Sequence, residues 1–220
     1  MITHTSLTTH LTLMNNVKLI HSTSNGEDLI AYMARVSNPN NQNNPSYSKL
    51  IKYLIDHKHW SPFEMVNMCV KIETTRSVAA QILRHRSFSF QEFSQRYAVA
   101  ERAQPTDIRR QDKNNRQNSI DDVDPYTVQD FQVKQSLLFD MSYKLYDEML
   151  QAGIAKECAR DVLPLATPTR MYMNGTLRSW LHYCDLRCGN GTQKEHKDIA
   201  DQCKLLVKEA YPVVYDAMWS

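Results

Sequence analysis

The alternation of apolar and polar positions divides the chain into helices around a few strands. Val17 to His21 predicts a short strand. Leu29, Ile30, Met33 and Val36 then recur at helical spacing. Ser24-Asn25-Gly26-Glu27, just before them, has the spacing of a capping box, with the Ser24 hydroxyl accepting an amide proton and Glu27 reaching back. Leu50, Ile51, Leu54 and Ile55 predict a second helix over 46–58, which Trp60-Ser61-Pro62-Phe63 breaks. Val66, Met68, Val70 and Ile72 alternate with Asn67, Cys69, Lys71 and Glu73, the pattern of a strand with one buried face. Val78, Ala79, Ile82 and Leu83 form the inward side of a helix over 77–85.

The second half is more helical. A long amphipathic helix is predicted over 128–152, with Phe131, Leu138, Met141, Leu145 and Met149 on its stripe and Gly153 closing it. A short helix over 155–163 stops at Pro164, and 169–173 reads as a strand. A helix over 176–186, a turn at Asn190-Gly191 and a helix over 193–210 burying Ile199, Cys203, Leu206 and Val207 complete the chain. Residues 38–45 are a polar connection. Residues 101–125 nearly lack large apolar side chains and carry Arg109, Arg110, Lys113 and Arg116 among acids, which predicts an exposed or partly disordered loop. The first sixteen residues show no period. The sum is an α+β fold: a helix-rich single domain over 17–220 around a small sheet, behind a flexible extension over 1–16.

Composition narrows the chemistry. The 220 residues carry 26 Lys and Arg against 24 Asp and Glu, a net charge of +2, so no overall pull toward nucleic acid or membrane is expected. The mean hydropathy of −0.54 and the lack of a long apolar run argue against a transmembrane helix, and the N-terminus has no signal-peptide pattern, so a cytoplasmic location is expected. Five scattered cysteines fit reduced thiols. With only 5 glycines, neither a P-loop nor GxGxxG occurs; any phosphate must be held by side chains.

The densest polar segment runs from Gln81 to Tyr97. Arg84 and His85 alone would read as cations at a helix C-terminus. That reading does not extend to Arg86, Glu92, Ser94 and Arg96, which continue among Phe88, Phe90 and Phe93. Arginine among aromatics is costly to bury unless it meets an anion, and its planar fork suits phosphate and stacks on rings. The segment reads as a pocket for an anionic, ring-containing ligand, with a nucleotide the first guess.

Arg84-His85-Arg86, then seven residues, then Ser94 is similar to the RHRx7S signature of the flavin-dependent thymidylate synthases. His57-Lys58-His59-Trp60-Ser61-Pro62-Phe63-Glu64 resembles that family's HxHxTPFE segment. The stretch from Lys156 to Leu165 resembles its ExAR-xxLP segment, and that from Thr176 to Arg187 its NxRSLxxFxxLR helix. The resemblance implies conversion of dUMP to dTMP, with methylenetetrahydrofolate giving the carbon, NADPH the reducing equivalents and FAD carrying the hydride. It also implies a homotetramer with active sites shared between chains, no nucleic-acid polymer as partner and no membrane.

Residue by residue, the resemblance assigns Arg187 to the uracil edge, where it would stabilise charge developing as C5 attacks the methylene carbon. It assigns Gln81, Arg84, Glu92, Ser94, Gln95, Arg96 and Arg160 to dUMP, with Ser94 and Arg160 at the phosphate. It assigns Ser37, His59, Ser61, Glu64, Arg84, His85, Arg86, Glu92, Thr176, Arg178 and His182 to the flavin, with His59, and Tyr97 beside it, where the folate would stack. Ser61, Gln91, Gln95, Thr176 and His182 depart from the residues common in the family.

Three other readings remain. No base stands by spacing beside Ser94, so a nucleophilic serine is weakly supported. Cys158, beside Glu157, reads as a small core residue rather than an activated nucleophile. Cys184, Cys188 and Cys203 with His182 and His196, or His57 with His59, give only weak metal-ligand spacings, and no metal is expected. A single-strand nucleic-acid binder or a flavoprotein with another substrate are the rival functions.

Overall fold

The computed structural model describes residues 15–220. Most of the expected N-terminal extension, residues 1–14, lies outside the described residues, and Asn16 already opens a strand. In chain order the elements are β1 (Asn16–Ser22), α1 (Gly26–Ala34), α2 (Ser48–Asp56), a 3-10 turn (Ser61–Met65), β2 (Asn67–Thr75) and α3 (Arg76–Ile82). Next come β3 (Ser89–Glu92), a small hairpin of β4 (Arg110–Gln111) and β5 (Ser119–Ile120), α4 (Pro125–Gln151) and the one-turn α5 (Lys156–Ala159). The chain closes with β6 (Pro168–Thr176), α6 (Leu177–Arg187), α7 (Lys194–Ala210) and α8 (Pro212–Trp219).

The main sheet is antiparallel in the order β1-β2-β6-β3. β2 and β6 pair along their full length, from Asn67 opposite Thr176 to Thr75 opposite Pro168. The alternation read in the sequence is realised: Met68, Val70 and Ile72 are buried and meet Met171 and Met173 of β6 in one core. α6 leaves β6 directly, because Thr176 caps it by accepting the Ser179 amide at 3.3 Å. Trp180, fully buried, then pins α6 to the sheet by donating Nε1–H to the Met68 carbonyl at 2.9 Å. Burying each such large side chain contributes roughly 2–3 kcal/mol.

Four expectations need correction. The capping box does not form: Asn25 is the N-cap of α1, at φ 53°, with no side-chain bond. Glu27 turns away and accepts the Val214 amide at 2.8 Å, satisfying a buried orphan amide in the first turn of α8 instead. Leu83 is largely exposed rather than inward, because α3 ends at Ile82. The 101–125 segment is mostly exposed, as one of its two readings expected, but it is not without structure. Ala100 and Ala103 are buried against α4, with their amides donating to Tyr146 and Tyr143 hydroxyls, and Arg110 pairs with Asp122 across the small hairpin.

The fourth concerns α4. Its buried face is Phe139, Tyr143 and Tyr146, whereas Phe131, Leu138, Met141 and Leu145 of the expected stripe are exposed. Periodicity located a real apolar face, but among the described residues none covers it. Gly153 does close α4: at φ 78° its amide bonds to the Leu150 carbonyl and the Ile154 amide to that of Met149, a Schellman arrangement.

Candidate functional site

The RHR segment follows α3 and is held against α6. The Ser179 hydroxyl donates to the Ser87 carbonyl at 3.3 Å. Phe88 packs edge-on against Trp180 and Tyr183, with ring centroids 4.8 and 5.8 Å away. His85 meets Tyr183 in the same manner at 4.9 Å. Arg187, in the last turn of α6, donates Nε–H to His85 Nε2 at 2.9 Å. Burial, aided by the charges of Arg187, His182 and Arg84, lowers the His85 pKa to about 4.

A second histidine lies beneath. His196, in the first turns of α7, is fully buried, and its Nε2 stands 3.2 Å from the Tyr183 hydroxyl. Burial and then Arg187 lower its pKa to about 4 as well. From spacing alone His196 carried only a weak metal reading; its link to His85 through Tyr183 depends on how α7 packs on α6. The i,i+4 relation of Tyr183 to Arg187 was the available signal.

Beside this pair, the start of α6 meets the 3-10 turn. Thr176 donates its hydroxyl to Glu64 Oε2 at 2.7 Å, and Arg178 approaches Glu64 Oε1 at 3.5 Å. Arg178 and His182 share one exposed face of α6 at i,i+4. Lys58, at φ 57°, closes α2 in the left-handed conformation usually left to glycine, and the His59 amide bonds back to Leu54 at 2.8 Å. That turn leaves His59 and Ser61 exposed, beside His57 and Tyr53, whose rings stack at 4.0 Å.

The remaining candidates separate into two groups. Ser94 and Arg96 approach α5, where Arg96 pairs with Glu157 at 3.1 Å; Arg160 follows in the next turn. Ser94 Oγ accepts the Arg96 amide at 3.4 Å and faces no base. Gln95 is buried, and its Nε2 has no partner. Glu92 is already engaged, since Arg76 and Thr169 both donate to its Oε1, at 2.5 and 2.9 Å, leaving Oε2 open. Gln81 donates to Gln193 at 2.5 Å. Ser37 is exposed after α1 and bonds to none of these residues.

Two readings of single residues change. Among the described residues the side chains of Arg84 and His85 donate to no carbonyl of α3, whose last turn closes through the Leu83, Arg84 and His85 backbone amides. Cys158 is exposed, because the one-turn α5 buries only Ala159. Among the described residues, no three His, Cys, Asp or Glu side chains converge as a metal ion would require.

Charge pairing marks where a ligand belongs. Arg76, Arg96, Arg102, Arg109, Arg110, Arg170 and Arg178 each meet a carboxylate. Arg35, Arg84, Arg86, Arg116, Arg160 and Arg187 meet none among the described residues; of these, Arg35 is satisfied by the Asn44 and Ser46 carbonyls, and Arg116 lies exposed between β4 and β5, which leaves Arg84, Arg86, Arg160 and Arg187 as the candidates. Within 101–125, Arg109 and Arg110 are both neutralised locally.

Comparison with known proteins agrees with this geometry. The sequence model of the family described as "Thymidylate synthase complementing protein" matches residues 18–213. A flavin-dependent thymidylate synthase of Synechocystis sp. is 53% identical over 192 residues, covering 87% of this chain and 89% of that protein. This chain belongs to the flavin-dependent thymidylate synthase family. A probable flavin-dependent thymidylate synthase of Paramecium bursaria Chlorella virus 1 is 51% identical over 202 residues, covering 91% of this chain and 94% of the viral protein. The UMP/dUMP methylase PolB from Streptomyces cacaoi, in a crystal structure with 5-Br dUMP, matches with a TM-score of 0.81 at 26% identity, covering 92% and 93% of the two chains. The α+β architecture, helices around a small sheet, is therefore that of the flavin-dependent thymidylate synthases.

Proposed function

We propose that this flavin-dependent thymidylate synthase makes dTMP from dUMP, taking the one-carbon unit from methylenetetrahydrofolate and a hydride from NADPH by way of FAD. The observation that carries the reading is the set of arginines without carboxylates, Arg84, Arg86, Arg160 and Arg187, around an aromatic-lined segment. Two phosphorylated, ring-containing ligands supply what these cations lack. Atoms balance if the methylene carbon bonds to uracil C5, the C5 proton leaves, and a hydride completes the methyl group as the folate departs at the tetrahydro level.

The donor set fits FAD. With no glycine-rich loop, a pyrophosphate calls for guanidinium and hydroxyl donors, and Arg84, Arg86, Arg178, Ser61 and Thr176 supply them. Glu64 orients Thr176 and Arg178 together. FAD, when bound, carries the hydride between nicotinamide and the transferred carbon. The exposed His59 ring offers a face for the folate.

On the substrate side, Arg160, Arg96 and Ser94 hold the dUMP phosphate, with Arg96 exchanging Glu157 for the ligand. Arg187 faces the uracil edge and stabilises negative charge that builds there as C5 becomes nucleophilic. His85 stays neutral and holds Arg187 by one edge, leaving the rest of the guanidinium for substrate. The exposed apolar face of α4 supports a homotetramer in which other chains complete each site. Among the described residues no helix is long and apolar enough to cross a membrane, and the five free cysteines suit a reducing cytoplasm.

The test is anaerobic turnover with dUMP, methylenetetrahydrofolate and NADPH, following dTMP. Purified protein should be yellow and form dTMP only when all three are present. Because PolB is a UMP/dUMP methylase, UMP is assayed in parallel. Colourless protein that takes up no FAD, or NADPH oxidation indifferent to dUMP, would overturn the reading.

A further inference from the structure

Gln81 is the outer end of a hydrogen-bonded chain that starts in the small hairpin. Arg109, only 11% exposed, is held by Asp107 at 3.1 Å and by the Ser119 hydroxyl at 2.9 Å. Its remaining nitrogen donates to Glu195 Oε1 at the start of α7. Glu195 Oε2 accepts Gln193 Nε2 at 2.8 Å, and Gln193 Oε1 accepts Gln81 Nε2 at 2.5 Å.

The polarity of this chain is set at its buried end. Burial opposes the Glu195 charge, but Arg109 and the Gln193 amide prevail and lower its pKa. An ionised carboxylate only accepts, so Gln193 must turn its NH2 toward Glu195 and its carbonyl toward Gln81. Gln81 must then turn its own NH2 toward Gln193. A free Gln amide has no such preference, since either end can rotate into place. Here the ion pair removes the choice, and the Gln81 carbonyl oxygen is the atom left open. Gln81 sits at the end of α3, with its own carbonyl accepting the Arg84 amide at 3.3 Å, so that oxygen stands at the root of the RHR segment.

We infer that Glu195 and Gln193 are positioning residues for substrate recognition: they hold the Gln81 side-chain carbonyl as an acceptor for a donor on the bound pyrimidine nucleotide, either the imide N3–H or a sugar hydroxyl. The inference rests on the dUMP reading above and deepens it. It also gives the ordered 101–125 segment a purpose, since Arg109 anchors the chain.

The experiment is a double-mutant cycle on the flavin-loaded protein. Gln193→Leu removes the middle link and leaves the Arg109–Glu195 pair intact; Glu195→Gln removes the charge that sets direction. Each is made alone and with Gln81→Ala, and dUMP Kd, KM and kcat are measured together with bound flavin. Each single variant should weaken dUMP binding and raise KM about three- to tenfold, the scale of one neutral hydrogen bond, with kcat and flavin content unchanged. Neither should weaken binding further once Gln81 is Ala. Full additivity, or unaltered dUMP affinity in Gln193→Leu, would overturn the relay while the dUMP reading stands. Wild-type protein that binds no dUMP would overturn both. In Gln193→Leu, reduced preference for dUMP over dCMP assigns the donor to N3–H, and reduced preference over 2′,3′-dideoxy-UMP assigns it to the sugar. If neither ratio moves, the relay is refuted.

Discussion

The Arg187 guanidinium donates Nε–H to Nε2 of His85 at 2.9 Å, and this fixes the state of both residues. Arginine has no acceptor, so His85 must be neutral, with its proton on Nδ1. A protonated His85 would face a like charge and lose the contact. One edge of Arg187 is thereby committed to the RHR segment while its terminal nitrogens stay free. The end of α6 and the RHR segment are thereby joined through a single side chain.

Arg187→Lys should consequently fail although it keeps the charge. Lysine carries its three donors on a single nitrogen and lacks the planar fork that lets a guanidinium span His85 and the substrate together. The expected outcome is a fall in kcat of at least about 100-fold, the scale of losing one donor to developing charge, with flavin retained. Arg187→Ala should abolish dTMP formation, also with flavin bound. Near-normal turnover in either variant would remove Arg187 from the chemistry.

Acid stability reports on the paired histidines. Burial and Arg187 lower the pKa of both His85 and His196 to about 4. In the unfolded chain both titrate near the ordinary value of about 6.5. Between these limits the unfolded state binds more protons, so stability rises with pH and is lost as pH falls from about 6.5 toward 4. Complete loss would amount to roughly 3 kcal/mol per histidine. Denaturant melts at pH 7, 5.5 and 4.5 should show that slope, and His196→Gln, which cannot titrate there, should flatten it. An unchanged slope in the variant would mean that His196 protonates without cost.

Much of this architecture was legible in the chain because local pattern and burial agree. The strict alternation from Val66 to Ile72 could only be a half-buried strand, and Gly153 announced the end of α4. Arg84, His85, Arg86 and Ser94 stand out in the chain because arginines among phenylalanines need an anion, and among the described residues Arg84 and Arg86 meet no carboxylate. The failures were tertiary. Glu27 stood at capping-box spacing, yet a nearby orphan amide on α8, remote in sequence, competed for it successfully. His196, Glu195 and Gln193 gave no local signal, since their partners lie on other elements. The α4 stripe was legible as an apolar face, but periodicity does not say what that face meets, and in the structure it is exposed.

Gly175 tests how tightly the RHR segment is seated. A Cβ there would lie 2.4 Å from Phe88 Cδ1 and 2.6 Å from Cε1. Phe88 cannot retreat easily, being packed against Trp180 and Tyr183. Gly175→Ala should therefore destabilise by about 1–3 kcal/mol, as overpacking does. Because Phe88 is three residues past His85, flavin retention should fall with it, read as lost visible absorbance. Unaltered melting and colour would show that the segment yields at no cost.

Ser94→Ala separates binding from covalent chemistry. Its hydroxyl accepts the Arg96 amide at 3.4 Å, and no base stands beside it to raise its nucleophilicity. The variant should bind dUMP about three- to tenfold more weakly, consistent with one lost hydrogen bond, and still make dTMP. Complete inactivity with dUMP affinity intact would establish a covalent role instead.

The exposed face of α4 decides whether the sites are shared. Leu138 and Met141 are 62% and 71% exposed in the single chain, in company with Phe131, Leu137 and Leu145 on the same side of the helix. An apolar run of that kind on one face is characteristic of a surface that another protein covers. Charges placed there cost little in a free monomer but several kcal/mol when buried without partners. Leu138→Glu with Met141→Glu should leave each chain folded, judged by far-UV circular dichroism and a cooperative melt. Under the proposed homotetramer with shared sites, sedimentation should show dissociation, and flavin binding should be lost at the same protein concentrations. A doubly substituted protein that remains tetrameric and yellow would place the shared interface on another face.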